Sequence, residues 1–329
     1  MDCACLLAVL ALWGGDPAPA SPPETFGCEA NPTGDPIGGG PGYRDVFRRG
    51  DFTVTTAEQF LAALKQAQAG QVIFIPGEAE IDLTGQKSLL IPGGVTIAGT
   101  RGLDGSPGGK IQALQRETFT LFLSAGHRVR LTGLRCEGPF GGRETTGFTT
   151  ALISLRHHRC EVDNCEIYNW NCDGVCGRSG ATKLYVHHCF IHNCQLNGYG
   201  YGVSLGASDA RIIANRFDFC RHHIAGTGDP GTSYEAAYNL VLANATSHHF
   251  DMHGGKDRGD RTDIAGDWIH IHHNTFQSEQ RAVGLRGAPS QGAEIHHNWF
   301  TKPAAQTVLS RGNARVWKNV YGPDRTLDD

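Results

Sequence analysis

Four short segments in the C-terminal half of the chain place histidine, aspartate and arginine at matching positions. They end at Gly226, Gly254, Gly287 and Gly312. Because side chains alternate between the two faces of a β-strand, alignment on these glycines separates an apolar face from a polar one. The polar face contains His223, Asp251, His253, Arg286 and Arg311. Imidazoles beside arginines and a carboxylate are typical of acid–base chemistry on an anion.

These side chains include the cationic and basic groups that β-elimination in a uronate polysaccharide requires. Arg286 and Arg311 are the candidates for neutralising the carboxylate beside C5 of the sugar. His253 or His223 would then remove the C5 proton as the base. Asp251 is expected to orient one imidazole and raise its basicity. The sequence therefore predicts a polysaccharide lyase that acts on an acidic, uronate-containing substrate.

Two loops rich in glycine and charged residues follow these segments, over residues 226–234 and 254–263. We interpret them as two insertions into the repeat, and insertions in repeat proteins form loops that are often on the binding face. Residues in and beside the loops are predicted to bind the substrate: His222, Tyr234, His249, Lys256 and Arg258. Tyr234 is also the candidate donor of a proton to the leaving oxygen.

Three aspartates in the second loop form a candidate Ca²⁺ site. Asp257, Asp260 and Asp263 are spaced by three residues, and carboxylate oxygens are the ligands that Ca²⁺ prefers. Lys256 and Arg258 are interleaved with them and would repel a cation. The alternative is that the protein has no metal cofactor.

The elements that must position these residues are indicated by a repeat between residues 162 and 321. An aliphatic residue is followed three positions later by Asn or Cys, at steps of 24, 26, 29, 30, 24 and 21 residues. A period in the twenties made of short strands predicts a solenoid, because each unit must stack on the next to bury its apolar face. The marker residues are Cys165, Cys189, Asn215, Asn244, Asn274, Asn298 and Asn319.

The repeated positions predict columns of like side chains along the solenoid. The asparagines are expected at an inward turn, where their amides bond from coil to coil. Histidine pairs at 187–188, 272–273 and 296–297 also recur at one position, which favours a structural stack over separate metal sites. Cys165 and Cys189 are expected to stack as small buried residues, with a disulfide between coils as the alternative.

One amphipathic helix is predicted before the repeats. The capping box Thr55–Glu58 precedes Phe60, Leu61 and Leu64 at helical spacing, so we expect a helix over 56–69. Its apolar face would cover the open end of the first coil, as solenoids require. Strands are predicted within 71–77, 95–99 and 129–134.

Residues 62–77 and 96–99, followed by repeated Ile-His-His-Asn-x-Phe, resemble the pectate-lyase superfamily. The resemblance covers residues 50–322. It implies an all-β fold, a single-stranded right-handed parallel β-helix with an N-terminal capping α-helix. The superfamily contains lyases, hydrolases, epimerases and phage adhesins, so the function must be argued from the site.

The resemblance is incomplete at the positions that carry catalysis. Pectate lyases hold their base in an Arg-x-Pro-x2-Arg stretch, whereas Arg286-Gly-Ala-Pro289 has one residue more before proline and no second arginine follows. The stretch Phe250–His253 resembles the Asp-Pro-His-Asp of mannuronan epimerases. The alternatives to a lyase are therefore an epimerase, a glycoside hydrolase, which needs a pair of carboxylates, and a non-catalytic carbohydrate-binding solenoid.

Composition and the N-terminus limit the location and partners. The 329 residues carry a net charge of −4, without the basic excess of a nucleic-acid-binding protein. Residues 5–13 are apolar and too short to span a membrane, and small residues follow them, so residues 1–20 are predicted as a signal peptide. We expect a secreted or periplasmic monomer, with an extended lead-in over 21–50 and a β-helix domain over 51–329.

Overall fold

The computed structural model describes residues 24–140, 142–144, 147–278 and 280–328, so the predicted signal peptide lies outside the described residues. The chain winds through three sheets in turn, and strands of successive coils pair in parallel. Each face of the resulting solenoid is one sheet. The predicted parallel β-helix is confirmed.

Sheet 1 contains the strands that precede the repeat marker. Its members are Phe52–Thr53, Val72–Phe74, Thr96–Ala98, Arg130–Thr132, Glu161–Asp163, Leu184–His187, Asp209–Ile213, Ser233–Ala237, Trp268–His272, Gly292–His296 and Ala314–Trp317. The strands predicted within 71–77, 95–99 and 129–134 are the second, third and fourth of these.

Sheet 2 follows sheet 1 after a tight turn. Its strands are Glu80–Asp82, Lys110–Gln112, Arg135–Glu137, Glu166–Tyr168, Phe190–His192, Arg216–Asp218, Leu240–Val241, Thr275–Phe276, Trp299–Phe300, Asn319–Tyr321 and Thr326–Asp328. The last strand pairs antiparallel with the one before it.

Sheet 3 completes each coil and carries the glycine-terminated segments. Its strands are Leu89–Ile91, Phe119–Ser124, Thr150–Leu155, Asp173–Gly177, Tyr201–Leu205, His222–Gly226, Phe250–Met252, Val283–Leu285 and Val308–Leu309. The inward side chains of all three sheets form one continuous apolar core.

The turn between sheets 1 and 2 explains the repeat marker. A residue with positive φ comes first, such as His273 at 51° or His297 at 54°, and the marker follows it. The marker amides bond from coil to coil: the Asn274 side chain donates to Asn298 Oδ1 at 3.0 Å, and the next coil repeats this bond. The predicted asparagine column is confirmed, with one exception.

Asn244 was wrongly predicted as a member of this column. The member from that coil is Asn239, which accepts from Asn215 and donates to Asn274 Oδ1. Asn244 is exposed and bonds to Asp218. The error arose because the aliphatic residue before it, Val241, belongs to sheet 2 rather than sheet 1.

This correction changes the predicted insertions from two to one. From Asn215 to Asn239 is 24 residues, and from Asn239 to Asn274 is 35. The loop at 226–234 therefore fits within a coil of ordinary length. The single long coil contains the loop at 254–263, which begins with a helix over Gly255–Arg258.

The predicted N-terminal capping helix spans Ala57–Gln66. Its cap is Thr56, one residue later than expected, and the Thr56 hydroxyl accepts from the Gln59 N–H. Phe60 and Leu64 are buried in the core, and Phe60 packs against Phe122 of sheet 3 with ring centroids 6.0 Å apart. The helix thus covers the first coils, as predicted.

The segment from residue 24 to residue 50 runs along the turns between sheets 1 and 2. The Gly27 N–H donates to the carbonyl of His297, and the Gly40 N–H donates to Asn164 Oδ1 several coils earlier. Within the described residues no helix is long and apolar enough to cross a membrane. The described cysteines are free thiols, and Cys165 and Cys189 stack as buried residues in the marker column, as predicted.

Candidate functional site

The outer face of sheet 3 carries a column of basic side chains. The pairing of neighbouring strands in sheet 3 fixes their register. When that register is extended one or two residues beyond the last paired positions, it aligns one residue from each of seven coils. These residues are Arg156, Arg178, Gly206, Thr227, His253, Arg286 and Arg311. We name them the basic column. The predicted alignment of the last three is confirmed, and coils stack about 4.8 Å apart.

A groove of about 510 Å³ lies on this face, beside the basic column. Sheet 3 forms its floor, and the loop at 226–234 with Arg258 forms one wall. The charged and aromatic residues that line it are Asp173, Arg178, Tyr199, Tyr201, Asp229, His253 and Arg258. Charged groups and aromatic rings that line one groove suit a polar ligand.

Asp251 is the centre of the polar network at one end of this groove. Its carboxylate is fully buried and faces four basic groups: Arg286 Nη2 at 2.8 Å, His248 Nδ1 at 3.1 Å, His253 Nε2 at 3.3 Å and His222 Nε2 at 3.7 Å. Burial alone would raise the pKa of Asp251. Hydrogen bonds from His248 and His253 outweigh it and hold the pKa well below its usual range.

The ionised Asp251 fixes the orientation of His253. Because Nε2 faces the carboxylate, the proton on that nitrogen is held there and Nδ1 is left with the lone pair. No described residue bonds Nδ1, and the His253 side chain is 31% exposed in the groove. An oriented, partly exposed imidazole that lines a groove can act as a general base.

The two terminal nitrogens of the Arg286 guanidinium each contact a carboxylate. Nη2 lies 2.8 Å from Asp251 and Nη1 lies 3.1 Å from Asp257, so much of its charge is matched within the protein. The Arg258 guanidinium has more partners: it contacts Asp229, Asp260 and the carbonyl of Ile264. We infer that Arg258 mainly holds the two loops together at the groove wall.

His223 and His249 were predicted in the site but are fully buried. They stack on each other with ring centroids 4.8 Å apart, and His223 also packs on Phe217 of the core. Alternation fails here because the chain leaves a corner of the solenoid, so that His223 and Ile224 both point inward. Burial lowers the pKa of His249 to about 3 and also lowers that of His223 well below its usual value. Neither can contact a substrate or act as its base.

The predicted partner of His223 in the next coil was also wrong. Alignment on the terminal glycines pairs His223 with Asp251, whereas in the structure Ala225 is the residue aligned with Asp251. The observed register between these two strands differs by two residues from the alignment on glycine. A shift by two keeps each side chain on its face, so the placement of Asp251 on the outer face survives the error.

Tyr234 and His222 also depart from their predicted roles. Tyr234 is buried, and its hydroxyl has no partner among the described residues, so it cannot donate to a sugar in the groove. His222 stacks on Tyr201 and is nearly fully buried. Burial lowers the pKa of His222 to about 4, against the opposing effect of Asp251. His222 therefore supports the floor of the groove instead of binding substrate directly.

The three aspartates proposed for calcium do not form one donor set. Asp257 bonds to Arg286 and Asp260 bonds to Arg258, and neither belongs to a metal-sized cluster among the described residues. Arg258, one of the two charges expected to repel a cation, is thus already bound to one of these carboxylates. Lys256 is exposed beside them and remains available to a ligand.

The sequence analysis missed four residues of the site: Asp173, Arg178 and Tyr201 line the groove, and His248 contacts Asp251. The first three lie on coils before the four aligned segments, and His248 lies just before one of those segments. Burial raises the pKa of Asp173, and its Oδ1 has no partner among the described residues. One signal could have found Arg178: like Arg286, it comes directly after a strand of sheet 3.

Comparison with known proteins identifies the fold. A family model described as a right-handed β-helix region matches residues 146–319. An alginate lyase from Paenibacillus sp. is 17% identical with a TM-score of 0.62, over 83% of this chain and 95% of that one. This likeness shows a shared fold. A search of curated proteins finds no match.

Two further solved structures align at lower scores. The catalytic unit of an α-1,3-glucanase from Streptomyces thermodiastaticus has a TM-score of 0.48 and 16% identity, over 87% of this chain and 55% of that one. The A-module of a mannuronan C-5 epimerase from Azotobacter vinelandii has a TM-score of 0.42 and 11% identity, over 90% of each chain.

Proposed function

This chain belongs to the right-handed β-helix family, and from that premise we propose that it is a polysaccharide lyase that cleaves a uronate polymer by β-elimination. The observation that carries the proposal is His253, which lines the groove while its Nε2 is held by the buried, ionised Asp251. The likeness to an alginate lyase is compatible with this proposal, which depends on the site.

The basic column supports an acidic chain as the substrate. Arg156 and Arg178 lie on one side of His253, and Arg286 and Arg311 lie on the other. Arg178 and Arg286 are four coils apart, or about 19 Å at 4.8 Å per coil. Guanidinium groups at the two ends of this span suit carboxylates on different sugars of a polyuronate, which arginine binds in a bidentate manner.

The proposed reaction uses groups at the centre of this column. Arg286, one coil from His253, neutralises the sugar carboxylate and makes the C5 proton more acidic. His253 Nδ1 takes that proton, the electron pair forms the C4–C5 double bond, and the C4–O bond breaks. Burial raises the pKa of Tyr201 to about 12, so its hydroxyl is protonated and is our candidate donor to the leaving oxygen.

The experiment is digestion of alginate, polygalacturonate and polyglucuronate by the purified, tag-free protein. We expect a rise in ultraviolet absorbance from 4,5-unsaturated ends with at least one polymer. His253→Gln should lower kcat/KM at least ~100-fold, since a general base contributes about that much. The matched control is His192→Gln, an outward histidine of sheet 2 bonded to Glu166, which should keep full activity.

Other outcomes would replace the proposal. Absence of unsaturated product from all three polymers, or full activity in His253→Gln, contradicts a lyase with this base. Exchange of the C5 proton with solvent at constant chain length would indicate an epimerase. Binding without either reaction would indicate a carbohydrate-binding solenoid.

A glycoside hydrolase is the second candidate, and Asp173 is the observation that favours it. Its raised pKa suits a general acid, as one carboxyl of a hydrolase pair requires. Asp251 cannot be its partner, because the two lie three coils, or about 14 Å, apart, beyond the ~9.5 Å limit of such pairs. Asp229 is the other carboxylate lining the groove. New reducing ends without unsaturated product, lost in Asp173→Asn, would establish this alternative.

A further inference from the structure

A second cluster of histidine and acidic side chains lies on the outer face of sheet 1, on a different face of the solenoid from the groove. The strands Trp268–His272 and Gly292–His296 pair so that His270 aligns with Glu294, and His272 aligns with His296. Glu235, on the coil before, aligns with His270. We name these five residues the sheet 1 cluster.

Two overlapping sets of ligand atoms lie within this cluster. His270, Glu294 and His296 each offer one atom, and the three atoms lie within 4.8 Å of one another. Glu235, His270 and His272 form the other set, at the same limit. The two nearest nitrogens, Nε2 of His270 and Nε2 of His296, are only 2.7 Å apart. Each set has the size and ligand types of a divalent-metal site.

The two sets differ in how far their ligands are already bonded. In the second set, Glu235 pairs with Arg211 through one oxygen and with His272 through the other. In the first set, no described residue makes an ion pair with Glu294. Arg315 aligns with Glu294, but its guanidinium lies over the Trp317 ring. Glu294 is therefore the carboxylate that is available to a cation.

The histidines of the first set are prepared as ligands. A metal-bound histidine usually has its second ring nitrogen hydrogen-bonded, and His296 Nδ1 lies 2.7 Å from His297 Nδ1. Nε2 of His296 and Nε2 of His270 face each other across the two strands, so both imidazoles present a nitrogen to the same point.

We propose that His270, Glu294 and His296 bind one divalent transition-metal ion, with Zn²⁺ as the best fit to two imidazoles and a carboxylate. Tetrahedral ligands at 2.0–2.1 Å from zinc are about 3.3 Å apart, so the two Nε2 atoms move apart by about 0.6 Å when the ion binds. The ion joins two successive coils and has a fourth position open to water.

A third cluster in the same sheet already contains a cation of the protein itself, an arginine side chain. Glu161, Asp163 and His187 also lie within metal-binding reach of one another. There the guanidinium of Arg130 lies 2.8 Å from Asp163 and 3.8 Å from Glu161, and so a built-in cation already neutralises the carboxylates. Among the described residues, no arginine takes this place beside Glu294. The third cluster should therefore bind no metal and supplies an internal control.

The test is titration of the tag-free, EDTA-treated full chain with Zn²⁺ by calorimetry, and with Co²⁺ by visible absorption. We expect one equivalent of either ion and the absorption bands of tetrahedral Co²⁺. At free Zn²⁺ 100 times the Kd, the melting temperature should rise by about 4 °C. His296→Gln and Glu294→Gln should each weaken binding at least ~10-fold.

His187→Gln is the matched control and should retain the full equivalent of metal. Melting temperatures in EDTA establish that each variant is folded before it is titrated. Two results would overturn the proposal: less than about 0.2 equivalents bound at millimolar Zn²⁺, or binding that His296→Gln and Glu294→Gln leave unchanged while His187→Gln removes it.

Discussion

The groove of sheet 3 and the sheet 1 cluster contain the same kinds of side chain, but their charges are arranged differently. In the groove, one fully buried carboxylate, Asp251, faces an arginine and three imidazoles. In the sheet 1 cluster, partly exposed imidazoles face one another, and the Glu235 side chain is 22% exposed. The first arrangement orients a base, whereas the second leaves lone pairs and a carboxylate available to a cation.

Burial is the physical origin of this difference. A buried carboxylate must keep its partners, because an unpaired charge in the protein interior costs several kcal/mol. A partly exposed carboxylate can exchange its partners for water at little cost. The groove should therefore be sensitive to the loss of any one charged group, and the sheet 1 cluster should be tolerant.

The largest difference is expected between Asp251→Asn and Glu235→Gln. Asp251→Asn leaves Arg286 without its buried partner and His253 without its orienting group. We expect it to destabilise the protein by about 3–5 kcal/mol and to lower kcat/KM at least ~100-fold per folded molecule. Urea unfolding and the absorbance assay measure the two effects.

Glu235→Gln changes one carboxylate in the sheet 1 cluster and is the matched comparison. It should cost no more than about 1 kcal/mol, the usual value of an exposed ion pair, and leave turnover unchanged. Equal losses of stability in Asp251→Asn and Glu235→Gln would show that burial does not distinguish the two regions.

A smaller effect is expected from the outer part of the basic column. Arg178 is half-exposed and three coils from His253, so Arg178→Ala should raise KM up to about 5-fold and leave kcat unchanged. Steady-state kinetics on the polymer that is cleaved would measure this. Arg48→Ala removes an exposed arginine elsewhere and is the control. A fall in kcat without a change in KM would place Arg178 in the reaction instead of the binding track.

The sequence predicted the alignment of several site residues but misplaced His223 and Asn244. The alignment of His253, Arg286 and Arg311 held because their strands share one spacing to glycine, and the register follows that spacing. His223 failed because alternation applies within a strand and not at the corner from which it emerges. Asn244 failed because the same short pattern occurs in sheet 2, and only stacking distinguishes the sheets.

The burial of Asp251 could not be predicted from its own segment. Its neighbours in the polar network come from separate coils and from the loop just before the strand, as with His222, Arg286 and His248. Alternation placed Asp251 on the outer face, which is where the register puts it, yet surrounding side chains cover it completely. When side chains from other coils pack over an outward-facing residue, they leave no periodic pattern in the sequence that would reveal its burial.

A pH dependence of stability is also predicted, and both regions contribute to it. Burial lowers the pKa of His249, behind the groove, and of His296, in the sheet 1 cluster, to about 3 in each case. The unfolded chain has histidine pKa values near 6.5, so it binds protons at a higher pH than the folded chain does. Stability is therefore complete above about pH 6.5 and is lost as the pH falls toward 3.

Melting temperatures of the metal-free protein between pH 7 and pH 5 measure this loss, which we expect to be several degrees. Asp251 contributes nothing in this interval, because a carboxylate with a lowered pKa loses its stabilising effect only below about pH 4. Because the two folded pKa values are alike, His249→Gln and His296→Gln should flatten the pH profile by similar amounts. A profile that neither variant flattens would contradict the assignment of the pH dependence to these two imidazoles.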